Sequence, residues 1–228
     1  MIRGTCVRFV ALVGLLAALV AGIQPAEASN GPSRVVLRVP FHRQLRALDC
    51  EAASLQMALA YRGRPVSQDA ILGEIGVDGI HPRVGTSGGA SGDPFISFVG
   101  DPNGSEVRGT GYGTYFPTIA RVAGMNGLGV VAGGQGMAPS AVYAFIRSGH
   151  PVIAWINFNW RLVPRSYYTA YDGRLVIYAG PGEHTVVVSG VSAGSVLVND
   201  PDRGRYWVSK SRFQRAFATY GDMAVVTG

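Results

Sequence analysis

Lysine is almost missing from this 228-residue chain, with Lys210 alone among its 20 basic residues, and there are only two cysteines and four histidines. The arginines that carry the rest of the positive charge are scattered. They form no dense block and no stripe interleaved with aromatics, so the net charge of +6 leaves no footprint for a nucleic acid. That charge is compatible with an acidic cell envelope. Two cysteines cannot build a disulfide framework, and a cysteine among scattered histidines does not make a zinc site. The aspartates of Gly92-Asp93-Pro94 and Gly100-Asp101-Pro102-Asn103-Gly104 do not fit the spacing of a calcium loop and read as turns. No glycine run is followed by Gly-Lys-Ser/Thr, which excludes a phosphate loop. Beyond residue 28 no apolar run is long enough to span a membrane. Disorder is excluded too, because the 32 glycines sit in a chain of high aliphatic content and imply turns and close backbone approaches. No cofactor and no metal are expected.

What is present begins with an address. Arg3 and Arg8 are followed by the apolar run Phe9 to Ile23 and by Ala26-Glu27-Ala28, an A-x-A cleavage pattern before Ser29. Residues 1–28 therefore read as a secretory signal peptide. Residues 29–228 read as one domain, secreted or held in the cell envelope, and monomeric. Without Arg3, Arg8 and Glu27 the mature chain keeps 18 basic and 13 acidic residues, a charge of +5. Cys6 leaves with the signal peptide, so Cys50 becomes the single cysteine of an exported protein. Such a leftover thiol points to intermolecular pairing or to a reactive group.

Along the mature chain, strands are expected at Val35–Val39, Val130–Val131, Pro151–Ile156 and Leu175–Tyr178, at His184–Ser189, Ser195–Asn199 and Arg205–Val208, and at Met223–Val226, which closes the sheet. Helices are expected from Cys50 to Tyr61, from a Ser67 cap to Ile75, over Tyr115–Met125 and Pro139–Arg147, and from a Ser209 cap to about Tyr220. Residues 76–113 and 158–173 read as irregular, the first rich in glycine and the second in aromatics. Helices come first and an antiparallel sheet follows, which predicts an α+β fold.

Cys50 stands where chemistry is expected. Asp49 is a good N-cap, so the thiol falls at the start of a helix, where the dipole and unpaired N–H groups favour thiolate. Gln44, six residues earlier, is near enough to return an amide N–H to the same site as an oxyanion donor. Of the histidines, His42, His81 and His150 read as packing or turn residues. His184 opens an apolar strand, and Asp200 ends the next one in Val198-Asn199-Asp200-Pro201. If those strands form a hairpin, Asp200 can orient one nitrogen of His184 while the other faces Cys50. Asn199 is the alternative orienter.

Taken in order, these pieces resemble the papain-like cysteine peptidases of family thirty-nine, in their stand-alone secreted branch. The matching stretches are Val39-Pro40-Phe41 through Gln44 to Cys50-Glu51-Ala52, Gly111-Tyr112-Gly113-Thr114-Tyr115, Gly149-His150-Pro151-Val152, Gly182-Glu183-His184-Thr185, and Val198 through Gly204. The resemblance implies a papain-like fold, N-terminal helices packed on an antiparallel sheet, and hydrolysis of peptide bonds in a peptide or protein substrate. It makes Cys50 the nucleophile, His184 the general base and then acid, Asp200 its orienter and Gln44 the oxyanion donor. The family also contains bacteriocin-leader (double-glycine) processing domains fused to transporters; with a signal peptide in place of a transporter, their substrate is not carried over. A cell-wall amidopeptidase of NlpC type shares the cysteine-then-histidine order, and a secreted binding module on a peptidase fold is the non-enzyme alternative. A serine hydrolase is disfavoured. Ser87 and Ser192 fit G-x-S-x-G, but neither has the strand before and helix after that a nucleophile elbow needs.

Overall fold

The structure, a computed structural model, describes residue 1, residues 34–86 and residues 90–228. The expected signal peptide and Ser87 lie outside the described residues. Strand β1 (Val35–Val36) leads through a loop into helix α1 (Cys50–Tyr61). Cys50 to Leu55 and Met57 to Leu59 are all buried, so α1 is covered nearly all round, as a helix apolar on every side must be. Helix α2 (Gln68–Ile75) follows, its N-terminus capped by Ser67 Oγ, which accepts from Ala70 N–H at 3.2 Å. Strands β2 (Val77–Asp78) and β3 (Phe98–Val99) pair in parallel within the stretch expected to be irregular. Helix α3 (Phe116–Met125), strand β4 (Val130–Gly134) and helix α4 (Pro139–Arg147) complete the first half.

The second half is mostly strand: β5 (Val152–Asn157), β6 (Ser166–Thr169), β7 (Leu175–Tyr178), β8 (Glu183–Val191), β9 (Ser195–Asp200), β10 (Gly204–Ser209) and, after helix α5 (Lys210–Ala218), β11 (Ala224–Thr227). Among the described residues the main sheet runs β10-β9-β8-β5-β11-β4, antiparallel throughout, with β1 paired to the far end of β8. Every residue of β8 is buried, which makes it the axis of the sheet. Gly190 lets it be so. A Cβ there would stand 2.9 Å from both Leu197 Cβ and Val35 O. Two expectations change. The last strand does not close the sheet but lies inside it, Val225 facing Ile153 on one side and Gly133 on the other. Residues 158–173 contain β6, which pairs with β7 as a separate hairpin. Helix α1 packs against β8, and this contact brings the cysteine to the histidine strand.

Candidate active site

The site forms where the N-terminus of α1 meets the start of β8. Cys50 is the first residue of α1, and Asp49 holds the N-cap position as expected. Its carboxylate, however, turns back to accept from Arg46 N–H at 2.9 Å and to pair with the Arg46 guanidinium at 3.4 Å, so it braces the preceding loop instead of the helix. Gln68 clamps the same loop. Its Nε2 donates to Arg43 O at 2.8 Å and its Oε1 accepts from Leu45 N–H at 2.9 Å.

His184 sits near the start of β8 and is buried. The register of β8 with β9 pairs Val187 with Asn199, which puts Asp200 opposite Val186 and on the same face as His184, one diagonal step away. The ring closes that gap: His184 Nε2 and Asp200 Oδ1 are 2.8 Å apart. Asn199 points to the other face, where its amide meets Ser189 Oγ at 2.9 Å and Val39 O at 3.1 Å. Asp200 Oδ1 also accepts from Asp202 and Arg203 N–H, and Oδ2 accepts from Tyr206 Oη at 2.6 Å. Burial alone would raise the Asp200 carboxyl, but the His184 ring, the Tyr206 hydroxyl and the Asp202 N–H outweigh it and hold it at about 2. Phe158 stands edge-on to His184, ring centres 5.0 Å apart, and the Arg203 guanidinium lies over the Phe158 ring.

Cys50, His184 and Gln44 line one cleft of about 340 Å³, together with Leu48, Val107 and Phe158. Gln44 Nε2 donates to Arg46 O at 2.9 Å and Ala47 O at 3.0 Å, while its Oε1 is buried without a partner. Gln44 N–H donates to Pro201 O at 3.0 Å, tying the cysteine loop to the turn after Asp200.

The thiol differs from the sequence expectation. It was expected to be acidified by the helix start, yet its pKa is raised well above the ordinary value. Burial is the main cause, followed by the carboxyls of Glu51 and Glu183. Cys50 Sγ donates to Glu51 Oε2 at 3.3 Å. Glu51 is pushed up to about 8 by burial, and Glu183 well above the carboxylate range by burial and by Glu51. Cys50, Glu51 and Glu183 bring their ligand atoms within 4.8 Å of one another and are the described residues that could hold a metal ion. Such an ion would occupy the sulfur itself.

The match to known proteins spans this whole arrangement. Residues 36–225 fit the model of the Peptidase_C39 like family. The chain belongs to that family. Its mixed helix and antiparallel-sheet architecture is the C39-like peptidase fold. A crystal structure from Bacillus anthracis, described as a C39-like peptidase, superposes with a TM-score of 0.71 at 25% identity, covering 86% of this chain and 97% of that one. The uncharacterised protein YvpB of Bacillus subtilis (strain 168) is 29% identical over 182 residues, 78% of this chain and 68% of YvpB. A double glycine motif protease from an AMS/PCAT transporter, solved with its leader peptide, gives a TM-score of 0.48 at 20% identity, over 84% of this chain and 91% of that one.

The C39-like site contains partners that sequence reasoning did not assign. From the sequence Tyr206 is only a strand residue, and Gln68 only part of a helix. Glu51 and Glu183 belong to the matching stretches, but the sequence assigns them no role. The available signal is one charged residue, Glu51, directly before the mostly apolar Ala52–Ala60 run, and another, Glu183, directly before the apolar His184–Ser189 strand. Glu106, in the wall of the cleft, accepts from Gly182 and Glu183 N–H and is raised to about 7 by burial. Two of the remaining histidines, His81 and His150, find structural partners. His81 pairs with Asp78 at 3.0 Å and stacks on Tyr171, and His150 Nδ1 meets Thr227 O at 3.0 Å.

Proposed function

We propose that this C39-like protein is an exported cysteine peptidase in which Cys50, His184 and Asp200 act as a triad. The observation that carries the reading is the shared cleft. A helix-start cysteine and a histidine already oriented by a carboxylate line the same cavity. Asp200 engages Nε2 of the ring, so Nδ1 is the nitrogen that serves Cys50. Because the thiol rests protonated, His184 takes its proton as Sγ attacks the scissile carbonyl. The imidazolium then passes that proton to the leaving amine, and water, activated by the same ring, hydrolyses the thioester and restores the thiol. The oxyanion would be held by the Cys50 N–H, which has no acceptor within the helix, and by Gln44 Nε2 once it leaves the carbonyls of Arg46 and Ala47. The apolar cleft walls suit a peptide substrate, and the signal sequence directs the enzyme outside the cell.

The test is a peptide-library cleavage screen on the exported protein, run beside Cys50→Ala and His184→Ala. Both variants are expected to fold and to lose turnover, and a thiol-directed inhibitor is expected to label Cys50. Cleavage that persists in Cys50→Ala would remove the nucleophile assignment. Inertness toward all peptide and cell-wall substrates would favour a binding module.

A further inference from the structure

The triad chemistry leaves two buried carboxyls beside the nucleophile unused. Glu51 Oε2 accepts from the Cys50 thiol at 3.3 Å and Glu51 Oε1 accepts from Thr114 N–H, so both of its oxygens face donors. Glu183 is different. Its Oε1 has only a long contact with Thr185 Oγ1 at 3.4 Å, and its Oε2 is buried with no partner. One oxygen of each carboxyl lies within 4.8 Å of the other and of the sulfur. The two side chains fill space that Gly113 leaves open. A Cβ there would collide with Glu51 Oε1 and stand 3.0 Å from Glu183 Oε2. The titratable groups facing the pair are Asp49, Glu106, Tyr112, Tyr115 and Tyr220, with His184 next along β8. An ionised carboxylate with a bare oxygen, buried beside a second carboxylate, is costly; one proton removes both penalties.

We propose that Glu51 and Glu183 form a carboxyl pair in which Glu183 keeps its proton when Glu51 ionises, so that Glu51 is then the carboxylate that receives the Cys50 S–H, making both of them positioning residues for the nucleophile. This rests on Cys50 being the reacting group. The assignment of the proton follows from the contacts. Glu183 Oε2 is the oxygen that lacks a donor, and one oxygen of Glu183 lies within 4.8 Å of one of Glu51. Glu51 is supported by the Thr114 N–H as well as by the thiol, so it is the first of the pair to ionise, at about 8, and Glu183, with no donor at Oε2, is the carboxyl that keeps the proton. Through the range in which the thiol titrates, a negative Glu51 then faces it and opposes thiolate. The nucleophile is held as an aimed S–H, and its proton leaves only when His184 accepts it during attack.

The pH dependence of alkylation of the full chain by iodoacetamide, with Cys50→Ser as the blank, measures this directly, because only the thiolate is alkylated and tyrosine ionisation does not enter the readout. Wild-type protein is expected to show its midpoint above the roughly 8.5 of a free cysteine. Glu51→Gln removes the facing charge and should lower the midpoint by about one pH unit or more. Glu183→Gln replaces a neutral donor with a neutral donor and should leave it within about half a unit. A wild-type midpoint below about 8.5, an unmoved midpoint in Glu51→Gln, or an equal fall in both variants would overturn the proposal. Should Glu51→Gln not fold, infrared spectroscopy decides. A carboxylic-acid carbonyl band must survive in wild-type protein at about pH 9, far above the ordinary range near 4, and vanish in Glu183→Gln. These readings need no cleaved substrate, so they succeed or fail separately from the peptidase assignment.

Discussion

At Gln44 the two ends of one side chain make opposite demands. Nε2 is spent on the carbonyls of Arg46 and Ala47, and Oε1 is buried unpaired. If the amide swings to the oxyanion during attack, Gln44→Ala should cut kcat by about 100- to 1,000-fold. If it only braces the loop, the loss should stay within about tenfold and appear with a lower melting temperature. Single-turnover rates and a thermal melt on the same sample separate the two. A second comparison tests orientation. Asp200→Asn cannot ionise, so it stabilises a protonated His184 poorly and should lower kcat by orders of magnitude. Asn199→Ala removes contacts on the opposite face of β9 and should act mainly on stability, through the lost bonds to Ser189 and Val39. Equal effects on kcat would contradict the register argument.

At the scale of elements, the N-terminus of α1 depends on a neighbour distant in sequence. The Gly111–Tyr115 stretch lies against it, Thr114 N–H donating to Glu51 and Thr114 O accepting from Trp155 Nε1 at 2.9 Å. A methyl at Gly113 would enter the space of the Glu51 carboxylate. Gly113→Ala should therefore destabilise the fold by about 1–3 kcal/mol and shift the Cys50 titration with it. Gly73 is the contrasting case. It is exposed within α2, has ordinary helical φ, and nothing lies within 4 Å of an added Cβ. Gly73→Ala should stabilise by about 0.5–1 kcal/mol, because alanine loses less backbone entropy. Urea melts of the two variants against wild type should move in opposite directions.

For the whole molecule, the buried carboxyls set how stability responds to pH. Glu51 at about 8, Glu106 at about 7 and Glu183, held well above the carboxylate range by burial, have folded pKa values above the unfolded value of roughly 4.3. Between those limits the folded state binds more protons, so stability is greatest below about pH 4.3 as far as these groups decide. It declines as pH rises through 7 and 8, by at most ~1.4 kcal/mol per pH unit for each carboxyl. Asp200 acts oppositely. Its folded pKa of about 2 lies below the unfolded value, so its contribution, on the order of 2 kcal/mol, is present above about pH 4 and lost as pH falls through 2. The melting temperature should peak near pH 4–5 and fall toward pH 8. Glu106→Gln, which can still accept from Gly182 and Glu183, should flatten that fall. A melting temperature that rises from pH 5 to pH 8 would show that these carboxyls ionise normally.

Local rules were enough to read much of this protein from its chain. Periodicity and caps place α1 at Cys50–Tyr61, α2 after Ser67 and α4 at Pro139–Arg147, because each is decided by residues within a few positions of one another. The order of Cys50, His184 and Asp200 was legible because a helix start and two strand ends are marked by nearby turn residues. Tertiary packing decided the rest. The position of β11 between β5 and β4 depends on pairing over long sequence separations. Whether Asp200 or Asn199 meets His184 follows from the β8–β9 register, since alternate strand residues face opposite sides. The character of the thiol was also settled in three dimensions. The sequence shows a cysteine at a helix start and so predicts an acidified group. Only the fold buries it and brings Glu183, 133 residues away, beside Glu51, and desolvation with two nearby carboxyls outweighs a helix dipole.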